Sequence, residues 1–258
     1  MPLEFLCLET GTTPIRFLIL CRRILYLQNI LKRADHELIK RVYKAQVEDP
    51  TPGDFAELVR NDFAMINEQL DESKIENMNK QSYKEFIKTK VKVAAFNFLK
   101  KLQEKHSKIK HIVYKKLETQ KYMLSPLFSD EEVNLLHSLR SRSIDCKANY
   151  SNMYKDDDMM CILCKTECCN QQHIMQCSVL IDKFKTDEIA KHKVMYEHIF
   201  DEDVHKQKVV TSLFKNLLEI RKQKTQDLLE KQNPSTTSEE LRRSIDLQPC
   251  IVYSSFGK

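Results

Sequence analysis

The segment Cys161-Ile-Leu-Cys164-Lys-Thr-Glu-Cys168-Cys169-Asn-Gln-Gln-His173-Ile-Met-Gln-Cys177 constrains the fold more than any other stretch of the chain. Cys161 and Cys164 are two residues apart in a C-x2-C turn, which aims two thiolates at one point. His173 and Cys177 are four apart, so on a helix they share a face and can reach that same point. Three soft sulfurs and one imidazole suit tetrahedral zinc with every coordination position closed. A closed site leaves no place for a reacting water, so the expected metal is structural. Other readings stand beside this one: buried free thiols, a disulfide framework and an iron–sulfur cluster. Five cysteines with a histidine at ligand spacing, no sign of secretion and no ferredoxin-type cysteine run favour zinc over all three. Cys168 and Cys169 are extra, and the sequence leaves open whether one of them replaces His173.

Around this segment the composition points to helices. The 258 residues hold only three glycines and no tryptophan, and 31% are charged. The 41% hydrophobic content is enough for a real core in one or two domains. The fold class expected is mostly α: an irregular helical bundle, a small CCHC zinc module and a disordered C-terminal tail. The divisions expected are a helical region over 1–145, the zinc module over 146–184, C-terminal helices over 185–232 and the tail over 233–258. Nine cysteines without a signal peptide point to a reducing compartment, nucleus or cytoplasm. The longest early apolar run, Phe17 to Cys21, is too short to span a bilayer, and Arg22-Arg23 ends it. No membrane partner is expected.

Helix starts are marked along the chain. Thr13-Pro14 predicts a helix to about Arg33, apolar nearly all round and therefore buried. Asp35 is placed to cap a second helix through Ala45. Thr51 with Asp54, Ser82 with Glu85, and Ser129 with Glu132 are spaced as capping boxes. The helix from Ser82 is the most clearly amphipathic, with Tyr83, Phe86, Ile87, Val91, Ala94, Ala95, Phe98 and Leu102 at helical spacing. After Cys177, Val179, Leu180, Ile181 and Phe184 continue the helix expected to hold His173 and Cys177. Asp203 starts a last long helix to about Gln232, and Asn233-Pro234 opens the tail.

Charge is distributed in blocks. Residues 14–47 carry eight Lys/Arg against two acids, 48–79 nine acids against two Lys/Arg, and 80–121 thirteen lysines against three acids. The acidic block suggests intramolecular pairing, a face turned from nucleic acid, or an ordinary solvated helix face. Lys84, Lys88 and Lys92 lie four apart, opposite the apolar stripe of their helix. Such a row can track phosphates, each contact adding salt-sensitive affinity. A purely solubilising face usually mixes signs, and acids are scarce here.

Several short words resemble one family. Glu9-Thr10-Gly11-Thr12-Thr13-Pro14-Ile15-Arg16, then Arg22-Arg23-Ile24-Leu25-Tyr26-Leu27-Gln28-Asn29-Ile30-Leu31, resemble the segment after the polymerase core of non-LTR retrotransposon reverse transcriptases. Val42-Tyr43-Lys44-Ala45-Gln46 and Gly53-Asp54-Phe55 continue the resemblance. So do the Arg-rich approach Leu139-Arg140-Ser141-Arg142-Ser143, Asn149-Tyr150, and the order Cys161, Cys164, His173, Cys177. The resemblance implies the C-terminal remnant of such an enzyme, which grips RNA or DNA and copies nothing because the polymerase core is absent. Arg22, Arg23, Lys84, Lys88, Lys92, Arg140 and Arg142 are the expected nucleic-acid contacts. No P-D-x-x-D with a following lysine marks an endonuclease. Tyr154-Lys155-Asp156-Asp157 spells the two-carboxylate word of polymerases, but its polar flanks fit a loop rather than a two-metal hairpin. The alternative function is a zinc-stapled helical domain that binds another protein.

Overall fold

A computed structural model describes residues 2–144, 146, 149, 159–181 and 195–232. Among these residues the chain is mostly helical, and its β contacts are two isolated antiparallel bridges. The chain divides into two compact units, one ending at Gln120 and one beginning at Lys121. The helix that follows Ser129 therefore belongs to the unit that holds Cys161, Cys164, His173 and Cys177.

The first unit contains six helices: α1 (Leu3–Thr10), α2 (Ile15–Leu31), α3 (Leu38–Glu48), α4 (Phe55–Met65), α5 (Glu72–Asn77) and α6 (Lys80–Gln103). α2 and α6 are its axis; α1 packs on α6, and α3, α4 and α5 pack on α2. α6 buries Tyr83, Ile87, Val91, Ala95 and Leu99, a stripe at four-residue spacing. The ends of the stripe are fixed by polar groups. The Tyr83 hydroxyl donates to Ile24 O at 3.1 Å, and Gln103 Nε2 donates to the carbonyls of Ile109 and Ile112. Hydroxyl and amide thus enter the core with partners, which removes most of the cost of burying them.

α1, which has no clear amphipathic pattern in the sequence, closes this unit. It ends at Gly11, whose φ of 68° is left-handed. A Cβ there would lie 2.4 Å from the backbone nitrogen of Thr119, so only glycine fits. Around that approach Gln120 N donates to Glu9 O, and the Thr119 hydroxyl donates to Thr10 O. Glu9 itself is fully buried and accepts a hydrogen bond from the Tyr114 hydroxyl. The Glu9-Thr10-Gly11 word thus has a packing role.

Several predicted helix starts move. Thr13 makes no cap; Pro14 is the residue before α2. α2 is not buried all round: Ile15, Leu18 and Ile19 are exposed. Asp35 does not cap α3, which begins at Leu38; it pairs with Lys40 and Lys44. α4 is capped by Asp54, which accepts from Glu57 N, while Thr51 N donates back to the same carboxylate. α6 starts at Asn79, whose side chain accepts from Gln81 and Ser82, so Ser82 is already inside the helix. Asparagine outranks an interior serine here because it stands one turn earlier, where the first N–H groups need acceptors. The acidic block does pair within the unit: Asp62 takes a bidentate bond from Arg23, Glu68 meets Lys90, Glu76 meets Lys40, and Glu72 accepts from Tyr43.

The second unit contains α7 (Lys121–Leu124), α8 (Asp130–Arg140), α9 (Gln171–Ile174), α10 (Ser178–Ile181), a 3-10 turn at His198–Phe200 and the long α11 (Val204–Gln232). The Ser129–Glu132 capping box forms as expected. Asp203 caps α11 by accepting from His205 and Lys206. Leu136 and Leu139 of α8 pack with Ile199 and with Val210, Phe214 and Leu217 of α11 in one apolar cluster. Glu131 and Glu132 of α8 pair with Lys215 and Lys208 of α11 alongside it. The Tyr154–Asp157 word and the tail from Asn233 lie outside the described residues. No described helix is long and apolar enough to cross a membrane.

Candidate functional site

Cys161, Cys164, His173 and Cys177 converge. One ligand atom from each lies within 4.8 Å of all the others, so the set could hold a metal ion. Cys161 Sγ and Cys177 Sγ are 3.9 Å apart, and Cys164 Sγ and His173 Nε2 are 3.3 Å apart. Three of the four are buried and Cys164 is half-buried. Neither Cys168 nor Cys169 is in this set, although Cys169 contacts Cys161.

Short-range hydrogen bonds explain the convergence. Cys161 N donates to Glu167 O, Lys165 N donates to Cys161 O, and Met160 bridges Cys168. Lys165 takes a φ of 57°, which turns the chain back on itself. This tight return points the N–H groups of Leu163 and Cys164 at Cys161 Sγ, and those of Thr166 and Glu167 at Cys164 Sγ. Asn170 then caps α9 by accepting from His173 N, which fixes the histidine backbone. His173 and Cys177 are not on one continuous helix. α9 is a single turn, and Cys177 sits just before α10, whose Val179 and Leu180 N–H groups face its sulfur. Splitting the helix lets the thiol of Cys177 accept from a helix start while the imidazole stays on the previous turn.

The electrostatics follow from these bonds. Contacts with the Cys169 and Cys177 thiols, then the surrounding N–H groups, hold Cys161 far below the ordinary thiol range. Cys177 is pushed up, first by Cys161 and then by burial. For Cys164, burial pushes upward, but the Thr166 hydroxyl at 3.1 Å and two backbone N–H groups outweigh it, and the net shift is down. Burial also opposes a charged His173, yet bonds with Cys161 and Glu167 raise its pKa overall.

Two outer groups were not legible from ligand spacing. Glu167 Oε2 lies 3.0 Å from His173 Nδ1, which leaves Nε2 facing the sulfurs. Arg221 of α11 donates to Cys169 Sγ at 3.4 Å, and Cys169 in turn contacts Cys161. Lys224 donates to Val179 O, so α11 holds the segment in two places. A carboxylate at position 167 is near in sequence and its role is readable afterwards from the i, i+6 spacing; Arg221 is 52 residues from its partner.

The expected nucleic-acid contacts separate into two groups. Lys84, Lys88 and Lys92 are all exposed on α6, one residue beyond each buried stripe position. Arg22 and Arg142 are also exposed. Lys88 is close enough to Cys21 to lower its thiol pKa in part, against the larger upward push of burial. Arg23 is partly buried and committed to Asp62 at 2.7 and 2.8 Å. Arg140 is a correction: it is buried, donates to Ile199 O at 2.9 Å and lies over the Tyr122 ring. Its charge holds α8 to the His198–Phe200 turn and is not presented to a phosphate. Compared with models of known protein families, with curated proteins and with solved structures, the chain matches none of them.

Proposed function

We propose that this protein is a zinc-stapled module that binds nucleic acid, RNA or DNA, and carries out no catalysis. The metal half of the reading is supported by the shape of the ligand set. Zinc–sulfur bonds of about 2.3 Å and a zinc–nitrogen bond of about 2.0 Å give tetrahedral edges of about 3.8 Å between sulfurs and about 3.5 Å between sulfur and nitrogen. The Cys161–Cys177 sulfur edge of 3.9 Å and the Cys164–His173 edge of 3.3 Å lie close to those values. Four protein ligands close the coordination, so zinc here supplies folding free energy, and Cys161, Cys164, His173 and Cys177 are the residues that would hold it. The resemblance of the chain to the C-terminal region of non-LTR retrotransposon reverse transcriptases fits this reading.

The nucleic-acid half rests on the exposed lysine row of α6, backed by a buried stripe that fixes its direction. Four helical residues rise about 6 Å, so the three ammonium groups form a ladder of charge. Neutralising them in Lys84→Gln/Lys88→Gln/Lys92→Gln weakens RNA and duplex DNA alike. It also flattens the slope of log K against log salt by up to about 0.7–0.9 per lost contact. Unchanged slopes in a folded variant would exclude this face. The second reading, a protein-interaction domain, is favoured by the exposed apolar side chains Ile15, Leu18 and Ile19 on α2. It predicts no salt-sensitive binding by the parent protein.

A further inference from the structure

The C-terminal half of α6 borders a cleft of about 470 Å³ shared with α2 and the end of α4. The volume is that of a small-ligand site. Its floor is aromatic. Phe17 is buried and Phe98 half-buried, with ring centroids 5.5 Å apart. The exposed Arg16 guanidinium lies 4.6 Å from the Phe98 centroid and 5.5 Å from that of Phe17, and it reaches Met65 Sδ at 3.9 Å. Asn97 and Asn67 place amides on the wall, and Asn67 stands in the left-handed region at φ 55°. Lys100 and Lys101 stand on the rim, with Glu104 as the acid of the lining.

These parts are those that take an unpaired base. An aromatic face supports a planar ring of any sequence, and a guanidinium is itself a planar cation that stacks. The lysine spacing also leads here. Lys84, Lys88, Lys92 and Lys100 fall on one four-residue progression, with Phe96 between the last two, and Lys100 Nζ lies over the Phe96 ring. Successive members turn about 40° round the helix, so the progression winds from the lysine row toward the cleft.

We infer that this cleft seats one unpaired base of a single-stranded nucleic acid against Phe98. The Arg16 guanidinium, 4.6 Å from the Phe98 centroid in the free chain, gives up that face to the base and meets a flanking phosphate beside Lys100 and Lys101, and the Asn97 and Asn67 amides face the base edge. The inference rests on the nucleic-acid reading above and deepens it. A duplex keeps its bases stacked inside, so it gains nothing from the cleft while still meeting the lysine row.

The test uses the full chain, a single-stranded RNA carrying one 2-aminopurine, and a duplex DNA of the same length. Stacking on Phe98 quenches the reporter. Phe98→Leu keeps an apolar floor and lowers single-strand affinity about fivefold or more, with the quench lost and duplex affinity unchanged. If that variant does not fold, Lys100→Gln/Lys101→Gln, on the rim, lowers the single-strand salt slope by up to about 0.7 per contact and spares the duplex slope. A folded variant with unchanged single-strand affinity and quench, or with equal loss for the duplex, overturns the cleft and leaves the lysine row standing. A parent protein that binds neither probe overturns the nucleic-acid reading and the cleft with it.

Discussion

The two units hold themselves together by different means. Residues 3–120 build helices of up to 24 residues around Tyr83, Ile87, Val91, Ala95 and Leu99 and their neighbours, an apolar core with polar ends tied off. The segment 159–181 has only α9 and α10, four residues each, and its buried groups include Cys161, Cys169 and Cys177. Isolated helices shorter than roughly 12 residues are marginal in water. What a longer helix gains from its apolar stripe, this segment draws from four side chains meeting at one point. The difference teaches where each is vulnerable: the first unit to loss of packing space, the 159–181 segment of the second to loss of the convergence at Cys161, Cys164, His173 and Cys177.

The sharpest way to break the comparison is to strip whatever cation the Cys161, Cys164, His173 and Cys177 set could hold. Apparent binding free energies for structural zinc in small peptides are about 10–16 kcal/mol, and they act only on the folded state. A strong chelator, or Cys161→Ser, is expected to abolish amide-exchange protection across 159–181 while α2 and α6 keep theirs. Equal loss in both units, or no loss in either, would contradict the division.

The reverse perturbation is Gly11→Ala. It places a Cβ against the backbone of residues 118–119 and forces a side chain into the left-handed region. Strain and overpacking together are expected to cost about 3 kcal/mol or more. Urea unfolding followed in the first unit should shift, while zinc stoichiometry measured on the same protein stays at one. A variant as stable as the parent would mean the close approach at Thr119 relaxes freely.

The smallest effect expected is from Glu167→Ala. It removes the acceptor at His173 Nδ1 and leaves all four ligands in place. Outer-shell losses of this kind typically lower metal affinity about 10- to 100-fold. Competition with a chromophoric chelator reads it directly, and cobalt substitution reports whether the imidazole still binds through Nε2. Unchanged affinity would make the carboxylate incidental to the site.

The convergence of Cys161 and Cys164 and the exposure of the lysine row were legible because a two-residue turn and a helical period carry that geometry in the sequence. Ser129–Glu132 and Asp203 were legible because each cap is local. Ser82 misled because a capping word inside a helix is invisible as such until Asn79, three residues earlier, is known to take the N–H groups. Asp35 misled because two lysines compete for it. Arg140 was read as a surface cation, yet its partner is a carbonyl 59 residues away, and nothing local marks that. α1 was missed because a short apolar segment acquires its conformation from α6 and from residues 118–120, not from its own pattern. The continuous helix expected across His173 and Cys177 is broken: α9 ends at Ile174, and Cys177 stands just before α10, whose Val179 and Leu180 N–H groups face its sulfur.

The meeting of Glu9, Thr10 and Gly11 with Thr119 and Gln120 also sets an order in time. These partners are separated by about 110 residues, so their contact cannot form on a ribosome until the whole first unit has been made. At synthesis rates of about 5–20 residues per second, that interval is roughly 5 to 20 seconds. For all of it Phe5 and Leu8, fully buried in the finished unit, lack part of their final surroundings. Within this unit α1 is thus made first and is among the last parts to settle, and chaperones or a premature partner have that window in which to meet it.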